Sequence, residues 1–305
     1  MFKEALITGE SGFLGSIISD SLRRSNYQIK TFGRGSENNF QGDLAAKKPQ
    51  FVIDQIFDTI IHAAGKAHSI PKTQDEKQAF YDVNFEGTKR LCEALVASNC
   101  IPKSFIFISS VAVYGIDFGE LISENHLLNG ESPYAKSKIL AEECLQEWAK
   151  DNNVILSILR LPLVAGPNPP GNLGAMINGI QSGRYLSIGK ASAKKSVVWA
   201  ADIAKIIPVL ALTGGIYNLT DGYHPSFEEL EKSIADATGK KPPLKIPLTI
   251  AKLIAIIGDF VGEKFPINSD KLKKITSDLT FDDSKARKTL GWQSNSVIQK
   301  LPDVL

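Results

Sequence analysis

The chain has 305 residues, room for one large domain or two modest ones at roughly 100–200 residues each. Apolar residues make up 43% and charged residues 22%, which excludes a disordered chain. A formal net charge of +2, with both signs interspersed, gives no field for nucleic acid or a membrane as partner.

The opening segment, MFKEALITG, is already strand-like and leaves no room for a signal peptide, so the expected location is cytoplasmic. Aliphatic runs predict strands at Glu4–Thr8, Gln28–Phe32, Thr59–Ala63, Ser104–Ser109 and Val154–Leu159. Between them, helical patterns cover Phe13–Ser25, Lys77–Ser98 and Tyr134–Asp151. Ser132-Pro133 opens the last of these with a capping residue and a first-turn proline. The alternation predicts an α/β chain with a doubly wound parallel sheet. After Arg160 the texture changes to the turn-rich run Gly166–Gly171, then short strands at Tyr185–Ile188 and Ile216–Leu219. Residues 1–165 therefore read as the sheet domain, with 201–222 returning to it, and 166–305 as mainly a smaller mixed lobe. The apolar stretch Pro247–Val261 is shorter than the roughly 20 residues of a membrane helix. Lys252 and Asp259 share one face and Leu253, Ile254 and Ile257 another, so it reads as an amphipathic core helix in preference to a membrane-docking one.

Thr8–Gly15 joins the first strand to the first helix and contains Gly9, Gly12 and Gly15. Such glycines permit a tight turn and close backbone approach, and Phe13 and Leu14 begin a helix whose free N–H groups suit a pyrophosphate. This is the chemistry of a dinucleotide site. The second strand ends Phe32-Gly33-Arg34, with no acid to grip the adenosine ribose of NAD. Arg34 suits a 2′-phosphate instead, which favours NADP over NAD. Asp43 and Leu44 are placed to meet the adenine edge. Ala63, Ala64 and Gly65 supply small residues where the cofactor passes.

Tyr134 and Lys138 lie four apart on one helix face. A phenol titrates near about 10, and a neighbouring ammonium should lower that value and make it a usable proton carrier beside a hydride transfer. The preceding strand delivers Ser109 and Ser110 to the ligand-binding edge of the sheet, where a hydroxyl can steady the reacting oxygen. His62, His68, His126 and His224 are scattered, and Cys92, Cys100 and Cys144 lack ligand spacing, so no metal is expected and the thiols read as reduced.

The glycine turn, Ser109–Gly115 (SSVAVYG), the Tyr134/Lys138 pair and the closing Asp283–Trp292 segment together resemble the extended short-chain dehydrogenase/reductase family, in its NAD-dependent epimerase/dehydratase branch. The resemblance implies a Rossmann sheet with a C-terminal substrate lobe, catalytic roles for Ser110, Tyr134 and Lys138, and a homodimer built through the helices Lys77–Ser98 and Tyr134–Asp151. It implies that Asn84 lies near the cofactor, that Asn172 and Leu173 contact the substrate's nucleotide, and that Lys195 meets its diphosphate. The implied substrate is a nucleoside-diphosphate sugar. Arg160-Leu-Pro-Leu163 lacks an asparagine that many 4-epimerases carry, and Val111-Ala112 replaces the Asp-Glu pair of the sugar dehydratases. These departures, with Arg34, favour a 4-ketoreductase. The alternatives are a 4-epimerase with tightly bound NAD, an enzyme of hydroxysteroids or flavonols, and a non-catalytic dinucleotide sensor.

Overall fold

The computed structural model describes residues 3–46, 51–261 and 268–305. Its first strands are β1 (Lys3–Thr8), β2 (Tyr27–Gly33), β3 (Phe40–Gln41), β4 (Thr59–His62), β5 (Ser104–Ser110) and β6 (Gly119–Ile122). They are followed by β7 (Ile155–Leu161), β8 (Leu163–Ala165), β9 (Leu186–Ile188), β10 (Val197–Trp199), β11 (Gly215–Asn218), β12 (Leu244–Ile246) and β13 (Leu279–Phe281). The helices of the first half are α1 (Phe13–Arg23), α2 (Gln74–Tyr81), α3 (Gly87–Ala97) and α4 (Pro133–Asp151). Then come α5 (Gly171–Gln181), α6 (Ala200–Thr213), α7 (Phe227–Ala237), α8 (Leu248–Val261), α9 (Ser269–Thr276), α10 (Ser284–Leu290) and α11 (Val297–Lys300).

Seven strands form one parallel sheet in the order β3-β2-β1-β4-β5-β7-β11. Chain direction across the sheet reverses between β1 and β4, because the chain runs from β1 out to β3 before crossing to β4. Ligands of open α/β sheets bind at such a switch point, beyond the C-terminal strand ends. Consecutive residues Ala5, Leu6 and Ile7 are all fully buried, as expected of a strand covered on both faces. Ala5 and Ile7 join a core with Ile18 and Leu22 of α1 and Ile203 and Ile207 of α6. Leu6 points the other way, into a core with Leu91 and Leu95 of α3 and Ala141 and Leu145 of α4.

Smaller parallel pairs, β8–β10, β9–β12 and β6–β13, lie outside the main sheet. Trp292 is buried, and its indole N–H donates to the Thr220 carbonyl at 2.9 Å, fastening the C-terminal segment to the sheet side. The helix expected at Lys77–Ser98 begins earlier, at Gln74 behind the Thr73 cap, and a π-helical turn at Asp82–Glu86 divides it. The expected helix within Pro247–Val261 forms as α8, but it does not bury the residues that define its larger apolar face. Ala251, Ala255 and Gly258 are buried, whereas Leu253 and Ile257 are exposed. Small side chains let α8 lie close to Leu272, Ile188 and Ile246, and only one side of the helix is covered. Among the described residues no helix is long and apolar enough to cross a membrane.

Candidate active site

The turn after β1 is shaped by what its glycines lack. Gly9 has φ +76°, and a Cβ there would press on the backbone of Ala64 at the end of β4. A Cβ on Gly15 would collide with the Gly9 carbonyl oxygen, so α1 packs against the turn only with glycine at that position. Gly12 caps α1 without a side-chain acceptor, leaving the Phe13 and Leu14 end of the helix free to receive an anion. The cradle that side chains would fill fits a dinucleotide pyrophosphate.

Around this cradle the expected contacts divide. Ala63 and Ala64 are held to β1 by hydrogen bonds from their N–H groups to the Thr8 carbonyl and hydroxyl, at 3.1 and 3.2 Å. Gly65 lies 3.4 Å, measured from an ideal Cβ, from Lys138 Nζ. Arg34 and Asp43 are exposed beyond the β2 end. Leu44 is buried in the core that holds Phe32 and Phe51, and its carbonyl accepts from Arg90 at 2.8 Å.

Ser110 ends β5, and Tyr134 and Lys138 lie one turn apart on α4. The Ser132 hydroxyl accepts from the Ala135 N–H at 3.1 Å, and Pro133 fills the first turn, which fixes where α4 starts and hence where Tyr134 points. Ser110 Oγ accepts from the Ala112 N–H at 3.2 Å, which leaves its own proton to be offered toward the cleft. Burial raises the Tyr134 pKa above its ordinary value, and the nearby Ser110 hydroxyl opposes that. The lowering expected from Lys138 is not found in the folded chain. Lys138 is itself brought down to about 8 by burial, against the attraction of Glu142. Its Nζ donates to the Ile108 carbonyl at 2.8 Å and sits 4.4 Å from the centre of the Phe107 ring.

Three expected ligand contacts are otherwise engaged. Asn84 is fully buried in the π-helical turn. Its amide accepts from the Lys66 N–H at 2.7 Å and donates to the Lys66 carbonyl and Ser137 hydroxyl, each at 3.0 Å. It therefore clamps the Gly65-Lys66 backbone to α4, with both amide protons used and one lone pair of the amide oxygen left. Asn172 is exposed in the first turn of α5, but Leu173 is 3% exposed and belongs to the core with Ile177 and Trp199. Lys195 is buried too: its Nζ donates to the carbonyls of Lys274 and Ser277, both at 2.9 Å, at the C-terminal end of α9. That is a cation capping a helix dipole, and a diphosphate would have to compete with those carbonyls for it. Lys195→Met should leave those carbonyls unsatisfied and cost about 1–3 kcal/mol in urea unfolding. Substrate KM should stay within roughly two-fold of wild type; a larger KM change would restore the substrate role.

Two groups have buried partners that the sequence did not reveal. Glu142, one turn beyond Lys138, forms a buried ion pair with Arg160 of β7 at 2.7 Å and accepts from the hydroxyl of Ser109, beside Ser110. Arg160 also donates to the Tyr114 hydroxyl at 3.2 Å, and Tyr114 donates to Asn218 of β11 at 2.7 Å. This network ties together the ends of β5, β7 and β11 behind Tyr134 and Lys138. The signal was an arginine inside the otherwise apolar run ILSILRL, which needs a buried partner. His62, the second group, is enclosed between the hydroxyls of Thr8 (2.6 Å) and Thr88 (2.9 Å). Thr88 gives its proton to the Asn84 carbonyl at 2.6 Å, so His62 must donate from Nε2 and accept at Nδ1. Burial, reinforced by Lys138, takes its pKa down to about 3, and it stays a neutral link between β1, β4 and α3.

A switch-point glycine cradle facing a Ser-Tyr-Lys cluster defines a dinucleotide-dependent α/β enzyme. Residues 5–219 match the model of the NAD dependent epimerase/dehydratase family, and the chain belongs to that family. It is 26% identical to the N-acetyl-alpha-D-glucosaminyl-diphospho-ditrans,octacis-undecaprenol 4-epimerase of Escherichia coli O157:H7, over 93% of this chain and 89% of that one. It is 28% identical to the UDP-glucose 4-epimerase of Vibrio cholerae, over 98% of this chain and 93% of that one. Among solved structures, the fold is shared with the UDP-glucose 4-epimerase of Thermotoga maritima with UDP-glucose (TM-score 0.73, 20% identity, 98% and 96% of the two chains). It is also shared with RMD of Pseudomonas aeruginosa complexed with NADPH (TM-score 0.74, 19% identity, 99% and 98%).

Proposed function

We propose that this protein is a 4-epimerase of a nucleoside-diphosphate sugar that retains NAD through turnover. The observation that carries the reading is the placement of Ser110 at the strand end and of Tyr134 and Lys138 one turn apart on α4, with the Lys138 ammonium held by the Ile108 carbonyl at 2.8 Å. The two curated relatives described above bear 4-epimerase names over nearly their whole length, which favours epimerisation over the 4-ketoreductase expected from Arg34. Arg34 is an exposed side chain without an ion pair or hydrogen bond among the described residues, so it stays available to a 2′-phosphate, and the preference for epimerisation rests on those relatives.

Bound NAD would accept hydride from the sugar carbon and return it to the opposite face. The glycine turn and the first turn of α1 would hold its pyrophosphate, and Lys138 its nicotinamide ribose. Tyr134 takes the proton of the sugar hydroxyl and later gives it back, so the same oxygen serves both half-reactions. Ser110 keeps a donor on the reacting oxygen as its charge develops. Ala63, Ala64 and Gly65 leave space along the cleft.

Acid release of the cofactor from purified protein tests this. About one equivalent of NAD⁺ per chain is expected, with interconversion of UDP-glucose and UDP-galactose, or of their N-acetylamino analogues, without added cofactor. Protein that carries no dinucleotide, and that oxidises NADPH in preference to NADH with a 4-keto sugar, would make it a reductase.

A further inference from the structure

The least expected surface lies far along the chain, on α8. Ile250, Leu253, Ile256, Ile257, Phe260 and Val261 are between 48 and 88% exposed. At 3.6 residues per turn they fall within one continuous arc, opposite the buried Ala251, Ala255 and Gly258. Leu186 and Leu244, cross-strand partners in β9–β12, are also more than half exposed and extend the patch. Each lies two residues from Ile188 or Ile246, on the sheet face that α8 covers. Scattered exposed aliphatics are ordinary, but six on one helix side form a contiguous patch, and such patches mark interaction sites.

The charge around the arc identifies the partner. Residues 240–276 contain eight lysines and three acids, a net of +5 in a chain whose total is +2. The remainder is therefore net acidic, and the balance of the whole chain hides a local excess. Lys240, Lys241 and Lys252 are exposed, the last on α8 itself at the border of the arc. Every cation of this segment is lysine, with no arginine, and the arc holds one aromatic residue. Protein interfaces favour the opposite composition, being enriched in aromatics and arginine and depleted in lysine. Lys245 pairs with Glu228 and Lys274 with Asp117, but an aliphatic arc bordered by Lys252 in a segment of net positive charge suits acyl chains below anionic headgroups. Fourteen residues give a helix about 21 Å long, which would lie in the plane of the interface.

We propose that α8 docks this protein on an anionic lipid surface, with the Ile250–Val261 arc inserted among acyl chains and the lysines against headgroup phosphates. The inference is independent of which sugar reaction the site performs.

Co-sedimentation of the full chain with vesicles tests it, comparing phosphatidylcholine alone with vesicles containing about 30% phosphatidylglycerol. Wild type should pellet with the anionic vesicles and be released by high salt. Leu253→Glu/Ile257→Glu should lower the bound fraction roughly ten-fold or more. Lys240→Glu/Lys241→Glu/Lys252→Glu should abolish the preference for phosphatidylglycerol. All these side chains are exposed, so thermal melting and activity on a water-soluble substrate should match wild type. Three results would overturn the proposal: wild type left in the supernatant, variants that pellet equally, or light scattering showing a dimer that Leu253→Glu/Ile257→Glu converts to monomer. The last would give the face to a second copy of the chain.

Discussion

Tyr134→Phe should lower kcat by about 10²- to 10⁴-fold, the range for removing a positioned acid–base group. It should do so in protein that remains folded and still holds its dinucleotide. The change deletes one oxygen. The phenyl ring keeps its edge-on packing with Phe80, at 6.1 Å between centroids, and α4 keeps its Ser132 cap. What disappears is one hydroxyl, with a change in stability of at most about 1.5 kcal/mol. The effect on rate therefore exceeds the effect on folding by several kcal/mol. Turnover, bound NAD⁺ and melting temperature should be measured on one preparation. Activity within a few-fold of wild type, with cofactor retained, would mean that Tyr134 is not the proton carrier. Turnover absent from wild type too would revive the dinucleotide sensor. Because burial raises the phenol in the folded chain, its activation must come from charge brought by the bound dinucleotide together with Lys138.

Much of this arrangement was legible because it is encoded locally. Glycines at positions 9, 12 and 15 between a strand and a helix state a turn that excludes Cβ atoms, and the structure shows the collisions they avoid. The main-sheet strands Glu4–Thr8, Gln28–Phe32 and Thr59–Ala63 were found to within a residue or so at each end, since short aliphatic runs between turns have one reading in an α/β chain. Ser132-Pro133 likewise announced α4.

What stayed hidden depends on partners remote in sequence. Lys195 reads the same whether it meets a phosphate or two carbonyls at the end of α9, about 80 residues on. Asn84 carries the composition of a ligand contact, but its π-helical turn aims the amide at Lys66 and Ser137. Two- to four-residue strands such as β3, β8 and β13 are set by pairing and have no periodicity of their own. On α8 the pattern correctly gave a helix, yet it could not say which of two apolar sides the fold would cover. Alanine and glycine won over leucine and isoleucine because a close helix approach needs small side chains.

Glu142→Gln should cost about 3–5 kcal/mol, the usual penalty when one member of a buried ion pair is removed. The magnitude comes from what is left behind. Glu142 is fully buried and Arg160 3% exposed, so the guanidinium keeps its charge where water cannot solvate it. Glu142 Oε2 accepts from both Nε and Nη2 of Arg160, at 3.1 and 2.7 Å, and Oε1 accepts from Nε at 3.3 Å and from the Ser109 hydroxyl, so the glutamine NH2 sets a donor against donors at one of these positions. Glu142→Leu/Arg160→Met removes both charges and should recover part of the loss. Recovery stays incomplete because Ser109 loses its acceptor and Tyr114 one of its partners. Urea unfolding of the two single variants and the double variant reads the coupling. Equal losses in all three would show that the network acts through shape and hydrogen bonds, with charge compensation contributing nothing. The reaction supplies a second readout. Glu142 attracts the Lys138 proton, opposing the burial that brings that lysine to about 8. With the carboxylate gone, the Lys138 pKa falls further, and the alkaline limb of kcat against pH should move to lower pH in any variant that still folds. A purely structural role for the pair would lower the amount of active enzyme and leave that limb where it was.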